Sequence, residues 1–187
     1  MKLSKKMIAV LATTACFATS ASAELITNGG FETGDLNGWT TGNFVTTNFD
    51  GYVTSGNYSL YMGCVGDLCS TSQTIATTAG ASYTFSFDYG SDGAQPNEFI
   101  ARFGGVDVFH TVNDPTNTRP GFMHESFTVL ASSTSTLVEF LGRNDPAYQA
   151  LDNVSVVPAA SVVPEPGALA LLLAGLAGLG LSKRRKT

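Results

Sequence analysis

The side chains that could carry acid–base chemistry in this sequence are two histidines and a set of scattered carboxylates. His110 and His124 do not form an H-x-x-x-H pair, and on a strand His124 and its neighbour Glu125 would point to opposite faces. A glycosidase needs two carboxylates across a cleft, and no sequence pattern indicates such a separation. Nucleophile-elbow, phosphate-loop and dinucleotide-binding motifs are missing from the sequence. We therefore expect a protein that is not an enzyme.

The aromatic and arginine side chains favour ligand binding instead. Sugar rings present apolar C–H faces that stack on aromatic rings, and loops on a rigid scaffold are where such contacts usually form. Residues 113–124 and 143–150 are polar, proline-bearing segments of this kind. The alternative for Trp39, the only tryptophan, is a core position. The candidate ligand-binding residues are Trp39, Arg119, Arg143 and Tyr148, with Tyr52 and Phe122 also in or beside loops.

The stretch CVGDLC contains Cys64 and Cys69. In an exported domain two thiols most simply pair, and the four residues between them suit a hairpin tip or tight loop. The spacing does not fit a metal site or a redox C-x-x-C motif. We predict a structural disulfide, which by closing so short a loop would contribute about 2 kcal/mol in the chain-entropy treatment.

Short predicted strands carry these side chains or flank the loops that contain them. Residues 82–89 alternate aromatic and polar side chains, as a strand with one buried face does, and helical periodicity is almost absent between residues 24 and 160. Gly104 and Gly105 predict a hairpin turn. Eight to ten short strands predict one all-β domain over residues 24–160, a jelly-roll β-sandwich. The predicted strands are residues 24–27, 44–49, 58–63, 72–77, 82–89, two pieces of 98–112, 124–131, 135–143 and 150–157.

Four motifs occur in an order that suggests a particular sandwich: LITNGGFETGDLNGWT (residues 25–40), SGNYSLYMG (55–63), SQTIATTAGASYTFSFDYG (72–90) and ALDNVSVV (150–157). The succession resembles the galactose-binding-like β-sandwich of several carbohydrate-binding module families. That resemblance implies a structural Ca²⁺ held by Glu32 and Asp152 at one edge. We expect further carbonyl oxygens from the neighbourhood of Asn28 or Asn57. Calcium prefers six to eight oxygen ligands. The alternative is that both carboxylates hold no metal.

The N-terminal end has the pattern of a secretory signal peptide. Residues 1–23 contain a basic start, a short apolar stretch and an Ala-Ser-Ala exit, which predict cleavage between Ala23 and Glu24. The remaining domain has three arginines and fourteen acidic residues, a formal net charge of −11. Such a surface repels phosphate backbones, so we expect no nucleic-acid partner.

The C-terminal end, residues 161–187, has three parts in order. Pro164-Glu165-Pro166 keeps the chain extended, residues 167–181 carry no charge, and the basic tail over residues 183–186 includes Lys183, Arg184 and Arg185. As a helix, residues 167–181 would measure about 22 Å, short of the roughly 30 Å hydrocarbon core. A short transmembrane helix passing transiently through the inner membrane is therefore expected, with the basic end in the cytoplasm.

These three parts resemble the PEP-CTERM protein-sorting signal. The resemblance implies an exosortase as processing partner, a Gram-negative bacterium, and a final location at the cell surface or in the extracellular matrix. It also implies a link to exopolysaccharide and biofilm. We expect an exported protein that binds polysaccharide or forms part of such a matrix. The alternatives are a purely structural or adhesive protein without a sugar pocket and, third, a polysaccharide hydrolase.

Overall fold

A computed structural model of the protein describes residues 23–48, 51–145 and 147–159. Within these ranges the secondary structure consists of ten strands and no helix. The predicted signal-peptide and C-terminal helices lie outside the described residues. The strands are β1 (Thr40–Thr41), β2 (Val45–Asn48), β3 (Ser59–Met62), β4 (Cys69–Ala76), β5 (Ser82–Gly90), β6 (Asn97–Phe103), β7 (Val106–Val112), β8 (Met123–Leu130), β9 (Ser135–Asn144) and β10 (Gln149–Pro158).

The ten strands form two five-stranded sheets. Sheet A has the order β1-β4-β9-β6-β7, and sheet B has the order β2-β3-β10-β5-β8. All the pairings are antiparallel. The prediction of an all-β, two-sheet sandwich is confirmed.

The core between the sheets is built largely from aromatic rings. On β5 the inward positions alternate with outward polar ones, as the sequence predicts. Phe87 packs edge-on against Phe140 of the opposite sheet with ring centroids 5.2 Å apart, and Tyr89 lies 4.3 Å from Phe99. Burying each such ring contributes about 1.5–3 kcal/mol. The inward residues of β5 are Tyr83, Phe85, Phe87 and Tyr89.

Of two local predictions, the hairpin turn is confirmed and the first strand is wrong. Gly104 and Gly105 do form the hairpin turn between β6 and β7, and both have positive φ, as a type I′ turn requires. The predicted strand over residues 24–27 is not a strand. This segment runs beside the second half of β10, where Leu25 N–H donates to the Val156 carbonyl at 3.0 Å and Val154 N–H donates to the Gly29 carbonyl. These bonds do not extend into a ladder.

Strand β10 connects the two ends of the sandwich. It begins beside Tyr148 and ends at Pro158, a length of roughly 30 Å for ten residues. Beyond it, Ala159 N–H donates to the Ser82 carbonyl at 2.9 Å. The chain therefore leaves the sandwich toward its C-terminal tail at the end opposite Tyr148.

Candidate functional site

On the outer face of sheet B, aromatic side chains lie directly over small residues. A Cβ atom at Gly90 would come within 2.4 Å of the Tyr52 hydroxyl, and one at Gly63 within 2.2 Å of the Tyr148 ring. Ala150 lies next to Gly90 in the ladder and is fully buried beneath this cluster. The sheet thus accepts rings flat against its backbone on the side away from the core.

These rings form a continuous cluster, which we call the aromatic platform: Tyr52, Tyr61, Phe122 and Tyr148, with Arg119. Tyr148 stacks on Tyr61 at 5.6 Å, Tyr61 meets Tyr52 edge-on at 6.2 Å, and Tyr52 lies 4.6 Å from Phe122. The Arg119 guanidinium lies 4.4 Å above the Tyr52 ring. Such a cation–π contact stabilises both groups and orients the arginine.

The platform has a buried layer and an exposed layer. Tyr52 and Tyr61 are 7% and 6% exposed, whereas Tyr148 is 47% exposed and Arg119 is also exposed. A shallow depression of about 240 Å³ lies at Gly51, Tyr52, Arg119 and Pro120. The exposed ring and guanidinium are thus backed by fixed aromatic neighbours, which limits the entropy that they lose on contact with a ligand.

Tyr52 is also held by its hydroxyl group. That group hydrogen-bonds with the Thr118 hydroxyl at 3.0 Å and donates to the Gly121 carbonyl at 3.3 Å. Burial raises the pKa of Tyr52, so the phenol stays protonated and able to donate. These bonds join the segment before β3 to the loop before β8, which brings Arg119 and Phe122 to the platform.

Beside the platform, two polar residues of sheet B pair across neighbouring strands. Nδ1 of His124 on β8 lies 2.7 Å from Oδ1 of Asp88 on β5. The Asp88 side chain is 6% exposed and that of His124 is 64% exposed. From the sequence, His124 was compared with His110 and with its neighbour Glu125. The true partner is 36 residues away, and only the register of the two strands reveals it.

A β-bulge in β10 positions the second partner of Asp88. Asp152 pairs with Asp88 and Ser155 with Ser86, so β10 has one extra residue between these pairs. Asn153 lies in this bulge and has a φ of 48°, in the left-handed region that asparagine tolerates. Its Nδ2 donates to Oδ2 of Asp88 at 2.7 Å, on the outer face. Bulges commonly re-aim a side chain in this way next to functional sites.

The predicted calcium ligands have other partners in this structure. The Glu32 carboxylate accepts from Asn57 N–H at 3.0 Å and Tyr58 N–H at 2.9 Å. These backbone N–H groups therefore point at the carboxylate oxygens that would have to coordinate a cation. The Asp152 carboxylate likewise accepts the backbone N–H groups of Thr54 (2.8 Å), Ser55 (3.2 Å) and Asn153 (2.7 Å).

Asn28, the third predicted ligand, has an internal role in the first loop. Its Nδ2 donates to the Asp35 carbonyl at 3.1 Å, and its own carbonyl accepts from the Trp39 indole N–H at 3.1 Å.

Burial raises the pKa of Asp152, a direction that a neighbouring cation would oppose. In the described ranges no group of three or more Asp, Glu, His or Cys side chains could hold a metal ion. The donor set as it stands does not fit Ca²⁺, and the calcium site stays a prediction.

Two of the predicted ligand-binding residues lie away from the platform. Trp39 is 8% exposed and packs against Phe31 (5.6 Å) and Phe140 (6.3 Å), so the sequence-based placement at a ligand surface is wrong, because the indole has no open face. Arg143 lies on β9 of sheet A, where its guanidinium pairs with Asp145 at 2.6 Å. Arg119 and Tyr148 are the predicted ligand-binding residues that the fold brings together.

The Cys64–Cys69 disulfide is present, as predicted, with Cα atoms 5.8 Å apart. It borders a cleft of about 330 Å³ that sequence reasoning missed, with Phe44, Val65 and Leu68 in its wall. Phe44 is 74% exposed and has a φ of 61°, which is unusual for an aromatic residue. A periodicity argument places Phe44 on a strand and does not reveal this backbone turn.

The predicted processing sites fall largely outside the described residues. Glu24, the expected first residue of the mature chain, is described, and its carboxylate accepts from Ile26 N–H (2.8 Å) and Val156 N–H (2.9 Å). Cleavage after Ala23 stays a prediction. The candidate sorting residues Pro164, Glu165, Pro166, Lys183, Arg184 and Arg185 lie beyond the described part of the chain. In that described part, no helix has the length and apolar character needed to cross a membrane.

The two-sheet fold is similar to the folds of carbohydrate-binding modules. TmCBM61, solved in complex with β-1,4-galactotriose, matches with a TM-score of 0.56 and 14% identity, over 73% of this chain and 99% of that one. The CBM22-1 xylan-binding domain of Paenibacillus barcinonensis Xyn10C matches with a TM-score of 0.55 and 16% identity, over 77% and 100%. At these identities the likeness concerns the fold alone.

The same fold also occurs in catalytic proteins. The Stig cyclase Fisc from Fischerella sp. TAU matches with a TM-score of 0.54 and 18% identity, over 75% of this chain and 100% of that one. Fold similarity therefore does not decide between binding and catalysis. No curated protein sequence matches this chain.

A specific sequence motif lies near the C-terminal end of the chain. Residues 162–186 match the PEP-CTERM protein-sorting motif, which confirms the resemblance inferred from the sequence. The motif implies that the protein is exported and sorted at the membrane with processing by an exosortase.

Proposed function

We propose that the protein is a non-catalytic carbohydrate-binding protein that an exosortase sorts to the outside of a Gram-negative cell. The single observation that carries the binding proposal is the layered platform, in which exposed Tyr148 and Arg119 rest on the buried rings of Tyr61 and Tyr52. A preorganised aromatic ring beside a hydrogen-bonding arginine suits a sugar, whose ring has an apolar face and a rim of hydroxyl groups.

The position of the platform supports this role. The tail that carries the sorting motif follows Ala159, just after β10 ends. Tyr148 lies just before β10 begins, roughly 30 Å from that end. A protein held by its tail would therefore present the platform away from the membrane. We propose cleavage at Pro164-Glu165-Pro166, followed by residence at the cell surface or in an exopolysaccharide or biofilm matrix.

Binding is tested with the exported protein on a glycan array and by calorimetry with β-1,4-galactotriose and soluble xylan, the ligand classes of the two similar modules. We expect saturable binding to at least one neutral glycan and no release of reducing ends. Binding to no glycan would contradict the carbohydrate proposal. Reducing-end release would favour the hydrolase alternative.

Sorting is tested by replacing Pro164-Glu165-Pro166 with three alanines. We expect the variant to accumulate in the inner membrane, since the segment that the enzyme would recognise is lost. Replacing the nearby Ser161 with alanine is the control. Normal release of the triple variant would contradict the assignment of the cleavage segment.

A second candidate function is a structural or adhesive role in the matrix. It is favoured by the cleft beside the disulfide, where Phe44, Val65 and Leu68 expose apolar surface at the end of the sandwich that contains Tyr148. Exposed apolar patches mark contact surfaces. A Phe44→Asp variant that loses attachment to matrix while it retains glycan binding would support this alternative.

A further inference from the structure

The two side chains of the Asp88–His124 pair differ in exposure and in hydrogen-bonding role, and neither belongs to the aromatic platform. The Asp88 side chain is almost fully buried, whereas most of the His124 ring is open to solvent. A carboxylate only accepts hydrogen bonds, so the short contact of 2.7 Å requires that Nδ1 of His124 donates. The neutral imidazole then carries its lone pair on Nε2, at the other side of the exposed ring.

Asp88 is held in place from the opposite side. Its Oδ2 accepts from Nδ2 of Asn153 at 2.7 Å, and Oδ1 of Asn153 accepts from the Ser55 hydroxyl at 2.8 Å. Both oxygens of the carboxylate thus have fixed donors. Asn153 reaches this position only because the bulge in β10 turns it outward, at a φ of 48°. Uncommon backbone conformations of this kind are often found at functional sites.

The same contacts connect the pair to the aromatic platform. Ser55 belongs to the segment between β2 and β3 that also carries Tyr52, and His124 is two residues beyond Phe122 on the same side of the chain. On β5, Asp88 is two residues before Gly90, on which Tyr52 rests. The pair and the platform are therefore neighbours on one face of sheet B.

We infer that Asp88, Asn153 and His124 form the polar part of the ligand site, in which Nε2 of His124 accepts a hydrogen bond from a hydroxyl group of a neutral sugar. This inference rests on the proposed carbohydrate-binding function and adds to it the group that selects the ligand. The nearby carboxylates of Asp88 and Asp152 disfavour an anionic sugar at this position. The ligand chemistry is then a neutral, hydroxyl-rich glycan with one ring on Tyr148.

The tautomer can be tested without any ligand. Long-range ¹H–¹⁵N spectra of the exported protein, recorded at about pH 8 where histidine side chains are ordinarily neutral, report which ring nitrogen carries the proton. We expect His124 to be protonated on Nδ1 and unprotonated on Nε2, and Asp88→Asn to disturb this preference. A proton on Nε2 in the wild-type protein would overturn the inference and leave the platform proposal intact.

The acceptor role is tested by calorimetry with β-1,4-galactotriose and soluble xylan. His124→Ala is expected to weaken binding roughly tenfold, because the sugar hydroxyl loses its hydrogen-bond acceptor. His124→Gln, whose carbonyl oxygen can replace the acceptor, should recover part of the affinity. The control is His110→Ala, since His110 also pairs with a carboxylate, that of Glu98 at 2.9 Å on sheet A, and its side chain is 43% exposed.

The outcomes separate this inference from the proposed function. If Tyr148→Ala weakens binding but His124→Ala binds as the wild type does, the inference is wrong and the platform proposal stands. If the wild-type protein binds neither these two probes nor any glycan on the array, both fail. Partial recovery by His124→Gln with no effect of His110→Ala would support the inference.

Discussion

The Tyr148 ring lies directly against the backbone of Gly63, so closely that a Cβ atom at Gly63 would come within 2.2 Å of Cε1 of the ring. The same ring stacks on Tyr61 at 5.6 Å. The glycine therefore determines how flat the most exposed platform ring lies on the sheet. Gly63 is not among the glycines with positive φ, so its backbone would accept an alanine.

This relationship allows the platform to be tested without touching the ligand surface. We predict that Gly63→Ala displaces the Tyr148 ring and lowers glycan affinity about threefold to tenfold, with a small effect on the melting temperature. The matched control is Gly42→Ala, where the nearest atoms would lie at an ordinary contact distance of 3.5 Å. Calorimetry and thermal melting measure the two effects. An unchanged affinity would show that ring placement does not matter.

Removing the ring itself should have a similar effect on binding. Tyr148→Ala deletes a half-exposed side chain, so we expect glycan affinity to fall about threefold to tenfold while the fold persists. Leu130→Ala removes a side chain that is also exposed, at the far end of β8, and should bind as the wild type does. If both variants bound equally well, Tyr148 would not contact the sugar.

The disulfide should contribute to stability and not to binding. We predict that the double variant Cys64→Ser, Cys69→Ser loses about 2 kcal/mol of unfolding free energy, because the unfolded chain regains the freedom of the short loop. Denaturant titration of the double variant beside Ser70→Ala, a control in the adjoining strand, measures the loss. Equal midpoints for the double variant and the wild type would contradict the prediction.

The loop between β9 and β10 gives a pH-dependent prediction. The Arg143 hydrogen bond and the Gly66 N–H hold the pKa of Asp145 below its ordinary value of 3.8. Because the folded-state pKa is the lower one, this stabilisation is present above about pH 4 and is lost as the pH falls through the folded-state pKa. Asp145→Asn should therefore modestly lower the melting temperature at pH 7 and much less at pH 2. An equal decrease at both pH values would show a purely steric effect.

The contacts of Glu32 and Asp152 lead to an expectation about calcium. Their oxygens already accept backbone N–H groups, so we predict the same melting temperature in EDTA and in millimolar Ca²⁺. Mg²⁺ at the same concentration controls for general ion effects. A specific rise of several degrees with Ca²⁺ would instead support the site that the sequence resemblance implies, with these loops rearranged around the ion.

Most of the strands, the disulfide and the sorting signal could be predicted from the sequence. The alternation over residues 82–89, the Gly104-Gly105 turn and the short spacing of Cys64 and Cys69 are local patterns, and local patterns can be read from neighbouring residues. The PEP-CTERM motif is likewise a contiguous segment. Arg119 and Tyr148 could be proposed because polar loops are the usual place for binding residues.

Which side chains meet depends on the packing and register of the strands, which the sequence alone does not reveal. Trp39 and Tyr148 are both aromatic residues near loops, yet one is buried between the sheets and the other lies open on sheet B. The partnership of Asp88 with His124 depends on the register of β5 against β8, and the contact of Asn153 depends on one extra residue in β10. A shift of one residue in either strand would send these side chains to the other face, because side chains alternate along a strand.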